Sequence, residues 1–218
     1  MNRPAMFSTV FVFVAIVGTV GLAITDREGY ESAEYKVIQS DGAFEIREYP
    51  DLILAATESK MDSQGRDGSF MRLFQYISGA NKAGQKIEMT TPVFMEGEIG
   101  KSEVSMGFVM PKLVATEGAP DPQGKGVQLR ERKGGRFAVI RFSGRLDSKS
   151  AKLKEEQLRD WMTGRSLTGV ESAEAAGYNP PFTPAASRRN EILIRLTEPA
   201  NEKVTIEAEA GGKAVGEE

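Results

Sequence analysis

Read as apolar and polar positions, the chain falls into three zones. Residues 7–24, FSTVFVFVAIVGTVGLAI, form an uncharged run of 18 positions, near the ~20 apolar residues that a helix needs to cross a bilayer. Residues 35–198 switch between the two-residue period of strands and the 3.6-residue period of helices. From Pro199 on, PANEKVTIEAEAGGKAVGEE is small, acidic and glycine-containing, the composition of a disordered tail.

The middle zone reads as a duplication. FEIREYPDLILAATESK (44–60) alternates, breaks at Pro50-Asp51 and resumes. VQLRERKGGRFAVIRFSGR (127–145) does the same around Gly134-Gly135. Both predict strand–turn–strand hairpins, with the triplets Ile46-Arg47-Glu48 and Leu129-Arg130-Glu131 at matching places. A helix follows each. Phe70, Leu73, Phe74 and Ile77 fall at i, i+3, i+4 and i+7, one apolar face. In DSKSAKLKEEQLRDWMTG the face is Leu153, Leu158, Trp161 and Met162, with Asp147 or Ser148 as cap and Gly164 as stop. Gly79 or Asn81 in a left-handed conformation ends the first helix. Further strands are predicted over KIEMTTPVFM and EVSMGFVM in the first half and EILIRL in the second. The first of these ends at Pro92 or lies at an edge, because proline has no N–H for a ladder. PKLVATEGAPDPQGKG (111–126) reads as the connection between halves. The expected fold is therefore α+β: a pseudo-two-fold antiparallel sheet or barrel of two ββα-type repeats with two flanking helices, preceded by an N-terminal apolar helix.

Charge orients the ends. Arg3 precedes the uncharged run, and Asp26, Glu28, Glu31 and Glu34 follow it. A positive start stays in the cytoplasm, so the remainder is expected outside it. Residues 1–25 are then either an uncleaved signal anchor or a signal peptide cleaved after Gly21-Leu22-Ala23. The domain is membrane-anchored and exported in the first case and secreted in the second. Residues 26–34 make a polar linker, 35–198 the domain and 199–218 the acidic tail.

Composition then removes chemistry. The formal charge is −3 and gives no basic excess for nucleic acid. With no cysteine there is no disulfide, thiolate nucleophile or lipidated N-terminus. With no histidine, Ser-His-Asp triads and imidazole metal sites are excluded. What remains is a short set of candidates. Phe70 and Phe74 either pack on the sheet or leave part of the helix face open as a ligand groove. Met89 and Met95 are either core or soft ligand contacts. Glu88 with Tyr76 or Tyr178 is the one carboxylate–tyrosine pair a hydrolase could use. YNPPFTP (178–184) is an extended loop with two aromatics. Arg188 and Arg189 after it either pair with Glu191 and other acids or grip a carboxylate or phosphate in a planar fork.

Taken together, RLFQYISGAN…QKIEMTTPV, VSMGFVMP, VQLRERKGGRFAVIRFSG and YNPPFTPAASRRNEILIRL resemble the SOUL haem-binding protein family, from about Tyr35 to Leu196. The resemblance implies a distorted antiparallel β-barrel of two ββα-type repeats and non-catalytic, non-covalent binding of haem or another porphyrin. The family's porphyrin groove falls here on Phe70, Phe74 and Ile77, with Arg188 and Arg189 in its RRNE motif near the propionates. Some members are proposed to ligate iron through histidine; this chain departs from that. Iron would be unligated by imidazole, or held by methionine or tyrosine, with Met71, Met89, Met95 and Tyr76 as candidates by position. The expected function is capture of a tetrapyrrole by a monomer attached to a membrane through its N-terminal segment. The alternative is a general binding module for another apolar ligand.

Overall fold

The computed structural model describes residues 29–59, 67–97, 104–180 and 182–197. The predicted N-terminal anchor or signal peptide and the acidic tail lie outside the described residues. In chain order the elements are β1 (Glu31–Ser32), β2 (Lys36–Asp41), β3 (Phe44–Tyr49), β4 (Leu52–Ser59), α1 (Ser69–Ile77), β5 (Thr90–Thr91) and β6 (Val93–Glu96). Then follow β7 (Val104–Val109), α2 (Lys112–Glu117), β8 (Gln128–Arg132), β9 (Gly135–Phe142), α3 (Ser148–Thr163), β10 (Gly169–Gly177) and β11 (Asn190–Leu196).

One nine-stranded sheet carries the domain, in the order β2-β3-β9-β11-β10-β6-β7-β4-β8. Removing β2 leaves two equivalent halves, β8-β4-β7-β6 and β3-β9-β11-β10, joined by antiparallel pairing of β6 with β10. The duplication is thus real, but its units are not hairpins. β3 pairs with β9, and β4 with β8. The register runs on without a shift across both breaks, with Tyr49 opposite Gly135 and Leu52 opposite Arg132. Each predicted hairpin is therefore one long kinked strand, and the two long strands lie against each other. The breaks looked like turns because Pro50 has no N–H and glycine interrupts a strand pattern. Gly134 is needed there for space: a Cβ on it would lie 2.3 Å from the Tyr49 carbonyl oxygen. The Gly134 N–H donates to Asp51 Oδ1 at 2.7 Å, and this bond holds the Asp51 carboxyl down at about 2.

The sheet is not closed into the expected barrel. β2 and β8 are its two edges. The halves meet by β6–β10 pairing on one side and are continuous through the kinked backbone at 49–52 and 132–135 on the other.

Successive residues along each strand face opposite ways, giving the sheet two apolar faces. Ile46, Ala55, Met95, Met106, Ile140, Ala175 and Ile192 belong to one face, on which both long helices pack. The helix α1 buries Leu73, Tyr76 and Ile77 there. Its partner α3 buries Ala151, Leu158, Trp161 and Met162. Leu153, expected in that face, is exposed, because it lies off the i±3/i±4 stripe through Ala151, Leu158 and Met162. The α3 cap is Asp147, whose side chain accepts from Ser150 N–H at 2.9 Å while Ser150 Oγ accepts from Asp147 N–H at 3.0 Å. Gly79 ends α1 at φ +113. Asn81 acts differently from the expectation: wholly buried, it donates to the carbonyls of Tyr76 and Gln85 at 3.1 and 2.7 Å.

Besides β1, inside the expected linker, and β2, which no pattern marked, three further segments escaped. The opening of KIEMTTPVFM is irregular up to Thr90-Thr91, which pairs parallel to β1 before the strand β6 begins. Part of the connection between halves coils into α2. The sequence GVESAEAAG of β10 carries no alternating large side chains, yet Ala173, Ala175 and Ala176 are buried at the centre of the sheet.

Candidate functional site

On the helix-covered face a groove of about 230 Å³ opens between α1 and the loop that follows β10. Phe70 and Phe74 line one wall. They are i and i+4 on the helix, with ring centroids 6.4 Å apart and planes 12° from parallel. Phe70 is fixed from behind by an edge contact with Phe108 at 5.1 Å, while Phe74 stays 44% exposed. The floor is Met89, Thr90, Thr91 and Val93. The opposite wall is Tyr178, Asn179, Pro180 and Phe182, with Arg188 and Asn190. Tyr30, at the start of the described chain, completes the rim. Arg188 is the one charged side chain among these lining residues, and its Nε donates to the Thr183 carbonyl at 2.8 Å, bracing the loop.

The structure thus brings Phe70, Phe74 and Arg188 together and leaves the other expected site residues elsewhere. Ile77 is buried in the core beneath α1. Met71 is exposed outside the groove. Arg189 lies under the groove wall in a buried ionic network. Of the methionines and tyrosine named for iron, Met89 reaches the groove. Met95 and Tyr76 are buried. The Tyr76 hydroxyl donates to the Pro120 carbonyl at 2.8 Å, and burial followed by the Asp121 charge pushes it up to about 12. Glu88 is exposed, and the Tyr178 hydroxyl is bound to Glu191, so the carboxylate–tyrosine pair is not assembled. Among the described residues no group of three or more acids could hold a metal ion.

Tyr30 carried no signal in the sequence, while Asn179, Phe182 and the Thr90–Val93 floor lay in stretches marked only as an aromatic loop and a strand. They converge from three segments distant in sequence, and nothing local marks the convergence. The exposed aromatic in a proline-rich loop was the one usable signal.

The network behind the wall explains Arg189. Glu191 is fully buried. Arg47 grips it with Nη1 at 2.7 Å and Nη2 at 3.0 Å, a bidentate fork. Arg189 adds Nε and Nη2 at 2.9 and 2.7 Å, and Tyr178 Oη donates at 2.9 Å. Burial alone would raise the Glu191 carboxyl; the two arginines more than reverse this and hold it below the usual carboxylate range. Burial would lower the Arg47 guanidinium, and Glu191 more than restores it. Arg47 lies over the Tyr35 ring at 4.2 Å, and Arg189 over the Tyr178 ring at 3.9 Å. Tyr178 therefore lines the groove while its hydroxyl and one ring face are held by the network.

A porphyrin can be tested against these walls. Clefts that enclose a drug-sized ligand run to roughly 300–1,000 Å³, above the 230 Å³ of this groove. The groove is suited to gripping part of a flat macrocycle between Phe70, Phe74 and Phe182, with the rest of the ring outside. With no imidazole in the chain, the lining residues of the ligand types that remain for iron, methionine and tyrosine, are Met89, Tyr30 and the hydrogen-bonded Tyr178.

Fold and groove together describe a duplicated ββα domain with an apolar, aromatic-walled cleft at one helix–sheet seam. The SOUL heme-binding protein model matches residues 30–195; the chain belongs to that family. It is 26% identical over 175 residues to Heme-binding protein 1 of Xenopus tropicalis, covering 75% of this chain and 91% of that protein. It is 30% identical over 173 residues to Heme-binding protein 2 of Homo sapiens, covering 74% and 82%. Solved structures share the fold at much lower identity. The EcmrR C-terminal domain superposes with a TM-score of 0.51 at 13% identity, over 71% of this chain and 96% of that one. A hydrolase from Listeria innocua gives 0.52 at 12%, over 73% and 94%.

Proposed function

We propose that the protein captures haem or a related porphyrin non-covalently in the groove between α1 and the loop 178–188, without histidine ligation and without catalysing a reaction on it. One observation carries the reading: in a member of a haem-binding family, the stacked Phe70–Phe74 pair lines one groove with Phe182, and Phe74 stays 44% exposed among the described residues. Aromatic faces offset-stack on a macrocycle and are worth about 0.5–1.5 kcal/mol each beyond the area they bury. In this reading Arg188, the charged residue of the described lining, is the partner of a propionate. The uncharged run 7–24 is the anchor in this reading, with the domain exported and monomeric.

The test is a haemin titration of the full chain in detergent, read by absorbance, with metal-free protoporphyrin IX in parallel by fluorescence. Saturable one-to-one binding of both at similar affinity is expected, because the grip is on the ring and not on the iron. The Phe74→Ala variant should bind roughly fivefold more weakly, the loss of about 1 kcal/mol for a partly exposed aromatic. A sharp Soret change with haemin and no binding of protoporphyrin IX would move the reading to iron ligation at Met89 or Tyr30. No saturable binding of either would end it.

A further inference from the structure

The large apolar side chains that remain exposed are not scattered evenly. Tyr30, Phe74 and Phe182 are 38, 44 and 87% exposed and line the same groove. Met71 is 53% exposed and lies three residues from Phe74 on α1, hence beside it on the helix surface. A contiguous apolar patch of this kind marks a surface that meets another apolar phase. Among the described residues no carboxylate lines the groove, and the one charged lining residue is Arg188.

A second observation comes from where the chain enters the domain. Ile24, the end of the uncharged run, precedes Tyr30 by six residues. Six residues reach at most about 20 Å even when fully extended. Tyr30 cannot drift from the groove, because the next two residues, Glu31 and Ser32, pair with Thr90 and Thr91 of its floor. The Ala33 N–H also donates to the Thr91 carbonyl at 2.7 Å, and Glu31 Oε1 accepts from the Lys112 N–H at 2.7 Å. Any bilayer that holds residues 7–24 therefore lies within about 20 Å of the groove mouth. Aromatic side chains with an exposed edge are suited to the headgroup region of a bilayer.

We infer that the groove mouth, lined by Tyr30, Phe74 and Phe182, together with Met71 beside it on α1, docks on the surface of the lipid bilayer that anchors the chain, so that an apolar ligand passes between membrane and groove without crossing water. The inference depends on the uncharged run being embedded in that bilayer, and it holds whichever apolar ligand the groove takes.

The absence of cysteine makes the test clean. Single-cysteine variants Phe182→Cys, Met71→Cys and, as reference, Leu153→Cys on the exposed side of α3 are labelled with an environment-sensitive fluorophore. Each full chain is reconstituted in phosphatidylcholine vesicles. Labels at 182 and 71 should be quenched at least twofold more by spin-labelled lipid than the label at 153, and should be the less accessible to aqueous iodide. Two rim positions guard against one variant misfolding. If rim and reference labels respond alike, or if the chain does not partition with the vesicles, the inference is overturned. Rim labels shielded from iodide yet untouched by spin-labelled lipid would mean that a second copy of the chain covers the patch, which also overturns it. Protoporphyrin binding by the Met71→Cys and Leu153→Cys variants in detergent, whose changes lie outside the groove lining, reads the groove separately, so failure of docking and failure of ligand capture are told apart.

Discussion

The two long helices occupy equivalent places on one sheet face, and they differ where it matters. Taking the buried pairs Leu73/Ile77 and Leu158/Met162 as equivalent puts Tyr76 opposite Trp161. Both rings are buried, and each ties its polar atom down: Tyr76 to the Pro120 carbonyl at 2.8 Å, Trp161 to Asp41 at 2.9 Å. The outward pair is where the halves part. In the first half it is Phe70 and Phe74, stacked and partly open. In the second it is Glu155 and Arg159, an i,i+4 ion pair whose arginine also donates to the Val170 and Glu171 carbonyls at the start of β10. Trp161 stacks on Phe44 at 5.1 Å beside it. One seam is sealed by charge and backbone hydrogen bonds, and the other is left apolar and open. A duplicated fold offers two equivalent seams; side-chain choice at two positions decides which one is a groove.

The largest effect should come from breaking the buried network behind the groove wall. Glu191 on β11 joins Arg47 on β3 to Arg189 at the start of β11. Glu191→Ala leaves two buried guanidinium groups without their carboxylate and should cost about 3–5 kcal/mol, read as a lower urea midpoint. Because the folded carboxyl is held below its ordinary value, its contribution is complete above about pH 4.3 and is lost as pH falls through the lower folded value. The stability of Glu191→Gln should accordingly fall less steeply in acid than that of the wild type. A midpoint for Glu191→Ala within 1 kcal/mol of wild type, by the same urea measurement, would sink this account of the network.

The next effect exchanges the seams. Phe70→Glu with Phe74→Arg writes the ion pair of α3 onto α1. Porphyrin affinity should drop more than tenfold, about 1.4 kcal/mol or more, while far-UV circular dichroism stays that of the folded protein. Unchanged affinity would mean that the groove is not the binding site. The smallest effect is the reciprocal control. Glu155→Ala removes one partner of a surface pair worth about 0.3–0.5 kcal/mol, and porphyrin titration should give the wild-type curve.

How much of this was legible depends on whether the deciding contacts are local. The helix α1 was, because its apolar stripe is set by spacing alone, and α3 was except for Leu153. The Phe70–Phe74 wall followed from that stripe together with the family resemblance. The strand β10 was hidden because its burial runs through alanines, which pack at the sheet centre without advertising a strand. The hairpins were misread because a kink and a turn use the same residues, proline and glycine; what separates them is a partner strand some 80 residues away in sequence. Arg188 and Arg189 are neighbours in the chain, yet one rims the groove and the other is buried on Glu191, since adjacent residues entering a strand point to opposite faces. Sequence could name the pair but not divide the roles.

The uninterrupted register across Tyr49–Leu52 and Arg132–Gly135 has a consequence for assembly. Neither repeat owns a complete sheet: β3 is flanked by β9, and β8 by β4. Cutting the connection between Gly118 and Gly126 would not release two independent domains. It would leave two fragments clasped through both ladders, each templating the other, so that the protein behaves as an intertwined dimer whose subunits have been spliced into one chain.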